Sequence, residues 1–243
     1  MSAYSPVELL VGVIARLLAG CRHACVGVSS PIPGTGALLA RAQSGGTLRV
    51  NLLGSSRHNF FTNGGVEVFD CAAEGRIDAF FLGGGQIDGH ANVNVMGVGE
   101  YPSMKVRWPG SFGSAYLYYL VPNVILFRQE HSRRVLVNSV DFVSAPGTSV
   151  ASVFRRGGPR ALVTELALFS FDKSRARFRL ESVHPGHTIE EVLDNTGFDF
   201  DRTANVPTTP SPDEASLRLL RGLIRSEIAE TYPRFARTML GRV

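Results

Sequence analysis

The sequence predicts an α/β protein: an open, mostly parallel sheet flanked by helices, with an antiparallel hairpin late in the chain. Short β-branched apolar runs alternate with segments whose apolar residues recur at helical spacing. Several of those runs stop on glycine, most plainly at Leu82-Gly83-Gly84-Gly85. Glycine there lets the backbone approach a ligand beyond a strand's carboxyl end. Near the end, two strand-like runs flank the turn Asp172-Lys173-Ser174. At 243 residues the chain can bury one large core, and no linker divides it. A single domain over residues 1–243 is expected, with 203–243 as an extended segment and helix packing on the core or on a partner.

Ser5 can cap a first helix with Pro6 at its first position, and Val7, Leu9, Leu10, Val13, Ile14, Leu17 and Leu18 form its apolar side. Gly20 ends it. Ala24 to Val28 reads as a strand, Ser29 to Gly36 as a strand-to-helix loop, and Ala37 to Ala42 as a helix. That loop has the outline of a phosphate cradle but lacks the Gly-Lys-Ser/Thr ending. Thr47 to Leu53 is the second strand, Arg57 to Gly65 a polar loop, and Val66 to Ala73 a short helix or turn. Ile77 to Leu82 is a buried strand that runs into the three glycines. Val93 to Val98 reads as a short strand and Pro102 to Pro109 as a loop holding Lys105, Arg107 and the single tryptophan, Trp108.

Ala115 to Leu120 is apolar helix, Asn123 to Phe127 a buried strand, and Gln129 to Arg134 a charged turn. Val135 to Val143 alternates as a strand does, until Ala145-Pro146-Gly147 breaks it. Ser152 to Pro159 is polar and glycine-rich. Arg160 to Thr164 and Ala167 to Phe171 are strand-like, and Ala176 to Val183 returns as the hairpin partner. Thr188 with Glu191 forms a capping-box pattern for a helix that ends by Gly197. Thr203 to Thr209 is extended. Ser211, Pro212 and Glu214 open the last helix, whose stripe is Leu217, Leu220, Ile224 and Ile228.

Charge and cysteine content narrow the function classes. The formal net charge is +4, and all basic residues but Lys105 and Lys173 are arginine. Basic pairs occur only at Arg133-Arg134 and Arg155-Arg156, so no nucleic-acid face is expected. Three cysteines suggest a reducing compartment. Cys21-Arg22-His23-Ala24-Cys25 offers ligand types on one short segment without a second cluster, so no metal is expected. Glu8 and Arg16 interrupt the N-terminal apolar segment, which argues against a signal peptide. No apolar run reaches the roughly 20 residues of a membrane span. The expectation is a soluble, cytoplasmic protein.

The candidate binding residues are Gly83, Gly84, Gly85 and Gln86, where amide groups could face an anion or a carbonyl oxygen. The alternative there is a tight strand-to-loop turn. Gly110, Ser111 and Gly113 precede a helix, and backbone amides at a helix start can hold an anion. Lys105 and Arg107 could pair with phosphates, or simply be solvated. Among the histidines His58, His90, His131, His184 and His187 no nucleophile–base pair is evident; His90, beside the glycines, is the one to test.

The stretch from Phe81 to Gly147 resembles the β subunit of class I CoA-transferases, most closely that of the glutaconate CoA-transferase type. The matching residues are Gly83-Gly84-Gly85-Gln86-Ile87-Asp88, Asn92-Val93-Asn94, Gly99-Glu100-Tyr101, Gly110-Ser111, Arg133-Arg134 and Val140 to Gly147. Leu162-Val163-Thr164, Phe169 to Asp172, Pro185-Gly186-His187, Val192 to Asp199 and the helix Leu217 to Ile228 continue the pattern in order.

The resemblance implies a CoA-transferase / NagB-RpiA-like fold and a heteromer with an α subunit of the same superfamily, α2β2 or larger. It implies an acyl-CoA substrate, with coenzyme A entering as part of that substrate and no separate cofactor. In the family a β-subunit glutamate attacks the thioester. Here the equivalent strand reads Leu48-Arg49-Val50-Asn51-Leu52-Leu53-Gly54, with Asn51 in the glutamate's place. An amide is not a carboxylate nucleophile. Asn51 is then a hydrogen-bonding group at the scissile carbonyl, or a polar residue serving its own loop. Glu67 aligns with no family acid and is expected to be a surface carboxylate. Phe112 stands where the family pattern carries glycine. Superfamily members without the glutamate resemble ring-opening hydrolases of a steroid-derived acyl-CoA, or glutaconyl-type acyl-CoA decarboxylases. The expected function is the β subunit of an enzyme acting on an acyl-CoA, by transfer or by such non-transferring chemistry; a non-catalytic CoA-binding subunit is the alternative from another class.

Overall fold

The structure, a computed structural model, describes residues 4–240. The ends of the expected span, residues 1–3 and 241–243, lie outside them. Two compact units emerge. One comprises the chain as far as Cys71, Arg76–Phe81 and everything from Pro210; the other comprises Ala72–Gly75 and Leu82–Thr209.

The first unit opens with α1 (Pro6–Leu17), β1 (His23–Val26), α2 (Pro31–Gln43), β2 (Arg49–Leu52), α3 (Gly64–Ala73) and β3 (Ala79–Leu82). A complete capping box starts α1: Ser5 accepts from the Glu8 N–H, and Glu8 accepts from the Ser5 N–H at 2.8 Å. The strands run β2-β1-β3, all parallel. Strand alternation places His23, Cys25 and Asn51 on one face and Ala24, Val26 and Leu52 on the other. On the second face α2 packs closely: a Cβ on Gly34 would stand 2.9 Å from Leu52 Cδ1, and one on Gly36 would stand 2.4 Å from Ile14 Cγ2 in α1.

The second helix begins at Pro31, six residues before the expected Ala37. Pro31 takes a first-turn position, where its missing N–H costs no intrahelical bond. Pro31 and Pro33 also leave that turn short of amide donors, which removes the phosphate-cradle outline of this loop.

The second unit holds β4 (Gln86–Ile87), β5 (Val93–Asn94), β6 (Gly97–Val98), β7 (Val106–Arg107), α4 (Ser114–Leu120), β8 (Asn123–Phe127), β9 (Pro159–Val163), β10 (Ala167–Asp172), β11 (Arg177–Val183), α5 (Ile189–Asn195) and β12 (Asp201–Arg202). Its sheet runs β8-β9-β10-β11-β12. The pairs β8–β9 and β11–β12 are parallel, and β10–β11 is the expected antiparallel hairpin. Phe169, Phe171, Phe178, Phe198 and Phe200 form its aromatic core, with rings mostly edge-to-face. The capping box at Thr188 and Glu191 opens α5 as expected.

Two expected strands are absent as drawn. Val93 to Val98 divides into β5 and β6, because the Asn94 Oδ1 accepts the Met96 N–H at 2.9 Å and turns the chain. Val135 to Val143 is not a strand: its backbone meets β4 in an isolated bridge between Leu136 and Ile87, and the Asp141 N–H donates to Gln86 Oε1 at 3.0 Å. Its alternation reflects burial of Val135, Leu136 and Val140 without a partner strand.

The chain returns to the first unit with α6 (Glu214–Leu219), a π turn at Leu220–Ile224, α7 (Arg225–Ile228) and α8 (Pro233–Met239). Asp213, not Ser211, caps α6: its Oδ1 accepts the Ser216 N–H at 2.7 Å. The stripe Leu217, Leu220, Ile224 and Ile228 is buried as predicted. Two ion pairs fasten this segment: Glu8 to Arg221 at 2.7 Å and Arg41 to Glu227 at 2.8 Å.

Candidate functional site

In the first unit, Asn51, the residue expected at the nucleophile position, sits near the carboxyl end of β2. Asn51 is wholly buried. Its Oδ1 lies 2.8 Å from His23 Nε2, and its Nδ2 is 3.4 Å from Asn59 Oδ1. His23, on the same face of β1, is itself buried, and its Nδ1 is 2.8 Å from the Arg76 carbonyl oxygen. Asn59 Oδ1 also accepts the Phe61 N–H. The amide is thus bonded inward, between the first strand and the loop after β2. Both ring nitrogens of His23 are engaged, and Cys25 is buried with its thiol pushed up to about 12, chiefly by desolvation. Among the described residues no group of three or more His, Cys, Asp or Glu side chains is placed to hold a metal.

Glu67 is taken up locally, accepting from the Thr62 and Asn63 N–H groups and the Thr62 hydroxyl, which hold its carboxyl below the usual range. Glu230, from the end of the last long helix, meets the same β2 loop. It accepts from Ser55 Oγ at 2.6 Å, Ser56 N at 2.8 Å and Ser56 Oγ at 2.7 Å. Those bonds, led by Ser55, together with one from the Thr231 hydroxyl, hold its carboxyl down to about 2.

In the second unit, four of the expected binding residues, Gly84, Gly85, Gln86 and Gly110, meet the segment 93–97. Asn94, fully buried, donates from Nδ2 to Gln86 Oε1 and to the Gly97 carbonyl, both at 2.7 Å. The Gly85 N–H donates to the Asn94 carbonyl at 2.9 Å. Gly84 has no room for a side chain: a Cβ would stand 2.5 Å from Val93 Cγ1. Gly110 closes on the same segment, where a Cβ would stand 2.6 Å from Val95 Cβ. The Trp108 N–H donates to the Met96 carbonyl at 2.8 Å, and its indole covers Gly85. The β6–β7 hairpin carries Lys105 and Arg107, both exposed. Gly83 and Ser111 are exposed too, Gly113 is the residue before α4, and Phe112 projects into solvent.

Asp88 and Asn92 brace this cluster. Asp88 Oδ1 accepts the His90 and Asn92 N–H groups at 3.0 Å, and Asn92 Oδ1 accepts the Gly147 N–H at 3.1 Å. His90 is exposed, with Nδ1 at 3.2 Å from the Ala176 carbonyl oxygen. His131 is buried between Thr164 Oγ1 at 2.7 Å and Thr196 Oγ1 at 2.9 Å, and Glu130 pairs with Arg134 at 2.6 Å.

Two residues of these networks are not among the site residues expected from the sequence, His23 and Asn94. His23 stood only in a cysteine-flanked segment, and nothing in its spacing tied it to Asn51. Asn94 lay inside an assumed strand; the Asn-x-Asn spacing after the glycines was its available signal.

The chain matches the sequence profile of the family described as Coenzyme A transferase over residues 21–195. The β-type subunit of glutaconate CoA-transferase from Acidaminococcus fermentans is 36% identical over 148 residues, 58% of this chain and 54% of that protein. The crystal structure of glutaconate coenzyme A-transferase from that organism superposes with a TM-score of 0.79 at 25% identity, covering 90% of this chain and 94% of that one. A cholesterol ring-cleaving hydrolase IpdB subunit of Rhodococcus jostii is 32% identical over 168 residues, 65% of this chain and 63% of that protein. A structure of the decarboxylase AibA/AibB shares the fold, with a TM-score of 0.77 at 22% identity and coverage of 98% and 99%. The matched stretch thus spans 54% to 63% of the length of these two curated relatives.

Proposed function

The chain belongs to the coenzyme A transferase family, and from that premise we propose that it is the β-type subunit of a heteromeric enzyme acting on an acyl-CoA thioester without exchanging its CoA. The observation that carries the reading is Asn51, which we assign to the family's nucleophile position: it is a buried amide in contact with His23 and Asn59. An amide is not a carboxylate nucleophile and forms neither the acyl anhydride nor the enzyme–CoA thioester that transfer requires. In support, Gly84, Gly85, Gln86 and Gly110, the residues assigned to the thioester in this reading, gather on segment 93–97.

In this reading the second unit holds CoA, with Lys105 and Arg107 toward its phosphates and the glycine segment toward the thioester. An α subunit supplies the acid or base. The reaction class is then hydrolytic carbon–carbon cleavage or decarboxylation of the acyl group. The similarity to an IpdB hydrolase subunit supports this class. Transfer is the second reading, favoured by the 36% identity to a glutaconate CoA-transferase chain; it requires a carboxylate from elsewhere in the complex.

The test is the complex with its α-type partner, incubated with a panel of acyl-CoA compounds with and without acetate and analysed by mass. Acetate-independent loss of CO₂, or gain of water with the thioester intact, is expected. Formation of acetyl-CoA that depends on acetate would sustain the transfer reading.

A further inference from the structure

We propose that Asn94 is a positioning residue: together with the Asp141 N–H it orients the Gln86 carboxamide so that the Nε2 amino group is the hydrogen-bond donor offered to an oxygen of the ligand. The inference rests on the reading that the glycine segment meets the thioester, and it names the donor atom and what aims it.

The direction of each amide follows from groups whose roles are fixed. A backbone N–H only donates and a carbonyl oxygen only accepts. Asn94 Oδ1 accepts the Met96 N–H at 2.9 Å and the Gly97 N–H at 3.3 Å, so the other end of that side chain is its amino group. Nδ2 brings two hydrogens to two acceptors, the Gly97 carbonyl oxygen and Gln86 Oε1, both at 2.7 Å. Gln86 Oε1 also accepts the Asp141 N–H at 3.0 Å. A reversed Gln86 amide would set its amino group against two donors. Asp141 is itself tied back, its Oδ2 accepting the Gly99 N–H at 2.8 Å.

Both hydrogens of Gln86 Nε2 are then left without a partner among the described residues. Gln86 is only 6% exposed, and Nε2 lies on the part that reaches solvent. An amino group so confined is costly to leave unpaired, and a ligand acceptor removes that cost. The Gly85 N–H does not compete for the role, because it donates to the Asn94 carbonyl oxygen at 2.9 Å. A donor fixed before the ligand arrives needs no reorganisation when negative charge gathers on a thioester oxygen. Asn94→Asp keeps the shape of the side chain and replaces its donor with an acceptor. The Gln86 amide then turns, and Nε2 donates to residue 94 instead of to the ligand.

The experiment labels the side-chain nitrogens of glutamine and asparagine in this chain, within the complex with its α-type partner, and follows NH₂ exchange by NMR. The chain has three glutamines, Gln43, Gln86 and Gln129, and Gln86→Met assigns the signal. In the free complex the Asn94 NH₂ protons are expected to be protected and those of Gln86 to exchange at least about tenfold faster. Asn94→Asp is expected to slow the Gln86 exchange by about tenfold. Acetyl-CoA is expected to slow it as well, whereas S-ethyl-CoA, which keeps the CoA part and has no carbonyl, is not. Protected Gln86 protons in the free native complex, or Gln86 exchange unchanged by Asn94→Asp, overturn the orientation. Equal slowing by the two ligands, or none by acetyl-CoA that calorimetry shows to be bound, overturns the assignment of this donor to the thioester oxygen. Absence of acetyl-CoA binding defeats the proposed function, while the exchange in the free complex still decides how Gln86 is held.

Discussion

The Trp108 indole covers Gly85 so closely that a Cβ at residue 85 would stand 2.1 Å from Trp108 Cη2. Trp108 is the only tryptophan, so its fluorescence reports on this contact alone. Gly85→Ala must displace the ring, at a cost of about 1–3 kcal/mol for overpacking. The expected result is a shifted emission maximum and CoA affinity weakened by roughly tenfold. Unchanged emission and affinity would separate the glycine segment from the ligand site.

Lys105 and Arg107 stand exposed on the β6–β7 hairpin. If they meet CoA phosphates, Lys105→Ala and Arg107→Ala each weaken CoA binding by roughly threefold to tenfold, and the loss shrinks as salt is raised. Calorimetry at two salt concentrations checks this. A salt-independent affinity in both variants would leave them as solvated surface charges.

Much of this architecture is legible in the sequence, because local signals and tertiary packing agree. The cap at Ser5, the capping box at Thr188 and the buried stripe from Leu217 to Ile228 are examples. The readings that differ share one cause: pattern does not reveal partners. Val135 to Val143 alternates like a strand yet forms an isolated bridge and no ladder, and the α2 start depends on how Pro31 is packed. At the candidate site, Asn51 is singled out by the sequence, while nothing in the sequence ties His23 to it. The two are 28 residues apart, and only the parallel pairing of β1 and β2 brings them together.

Glu8 is wholly buried and accepts from Arg221 Nε at 2.7 Å and Nη2 at 2.9 Å, tying α1 to the C-terminal helix segment. Removing one member of such a pair leaves the other uncompensated. Arg221→Met is expected to destabilise the chain by about 3 kcal/mol, and Glu8→Gln/Arg221→Met by much less. Chemical denaturation of the single and double variants measures this.

Acid stability has two separable windows. Burial lowers His131 from 6.5 to about 4, so the folded chain keeps the ring neutral while the unfolded chain protonates it. Its contribution is intact above the unfolded value and is lost as pH falls from about 6.5 to about 4, up to roughly 3 kcal/mol. Glu230, lowered from 4.5 to about 2, loses its contribution only below about pH 4.5. Denaturation midpoints between pH 7 and 4.5 should fall in the native chain and flatten in His131→Gln.

The most direct test of the central claim is isotope exchange. The complex with its α-type partner is incubated with an acyl-CoA that it turns over and with the labelled free carboxylate of that acyl group, and the acyl-CoA pool is followed for label. With Asn51 at the nucleophile position, no label is expected to enter that pool, and borohydride leaves activity unchanged. Label appearing in acyl-CoA, together with borohydride inactivation, would contradict the account, because both require a carboxylate that forms a thioester with CoA.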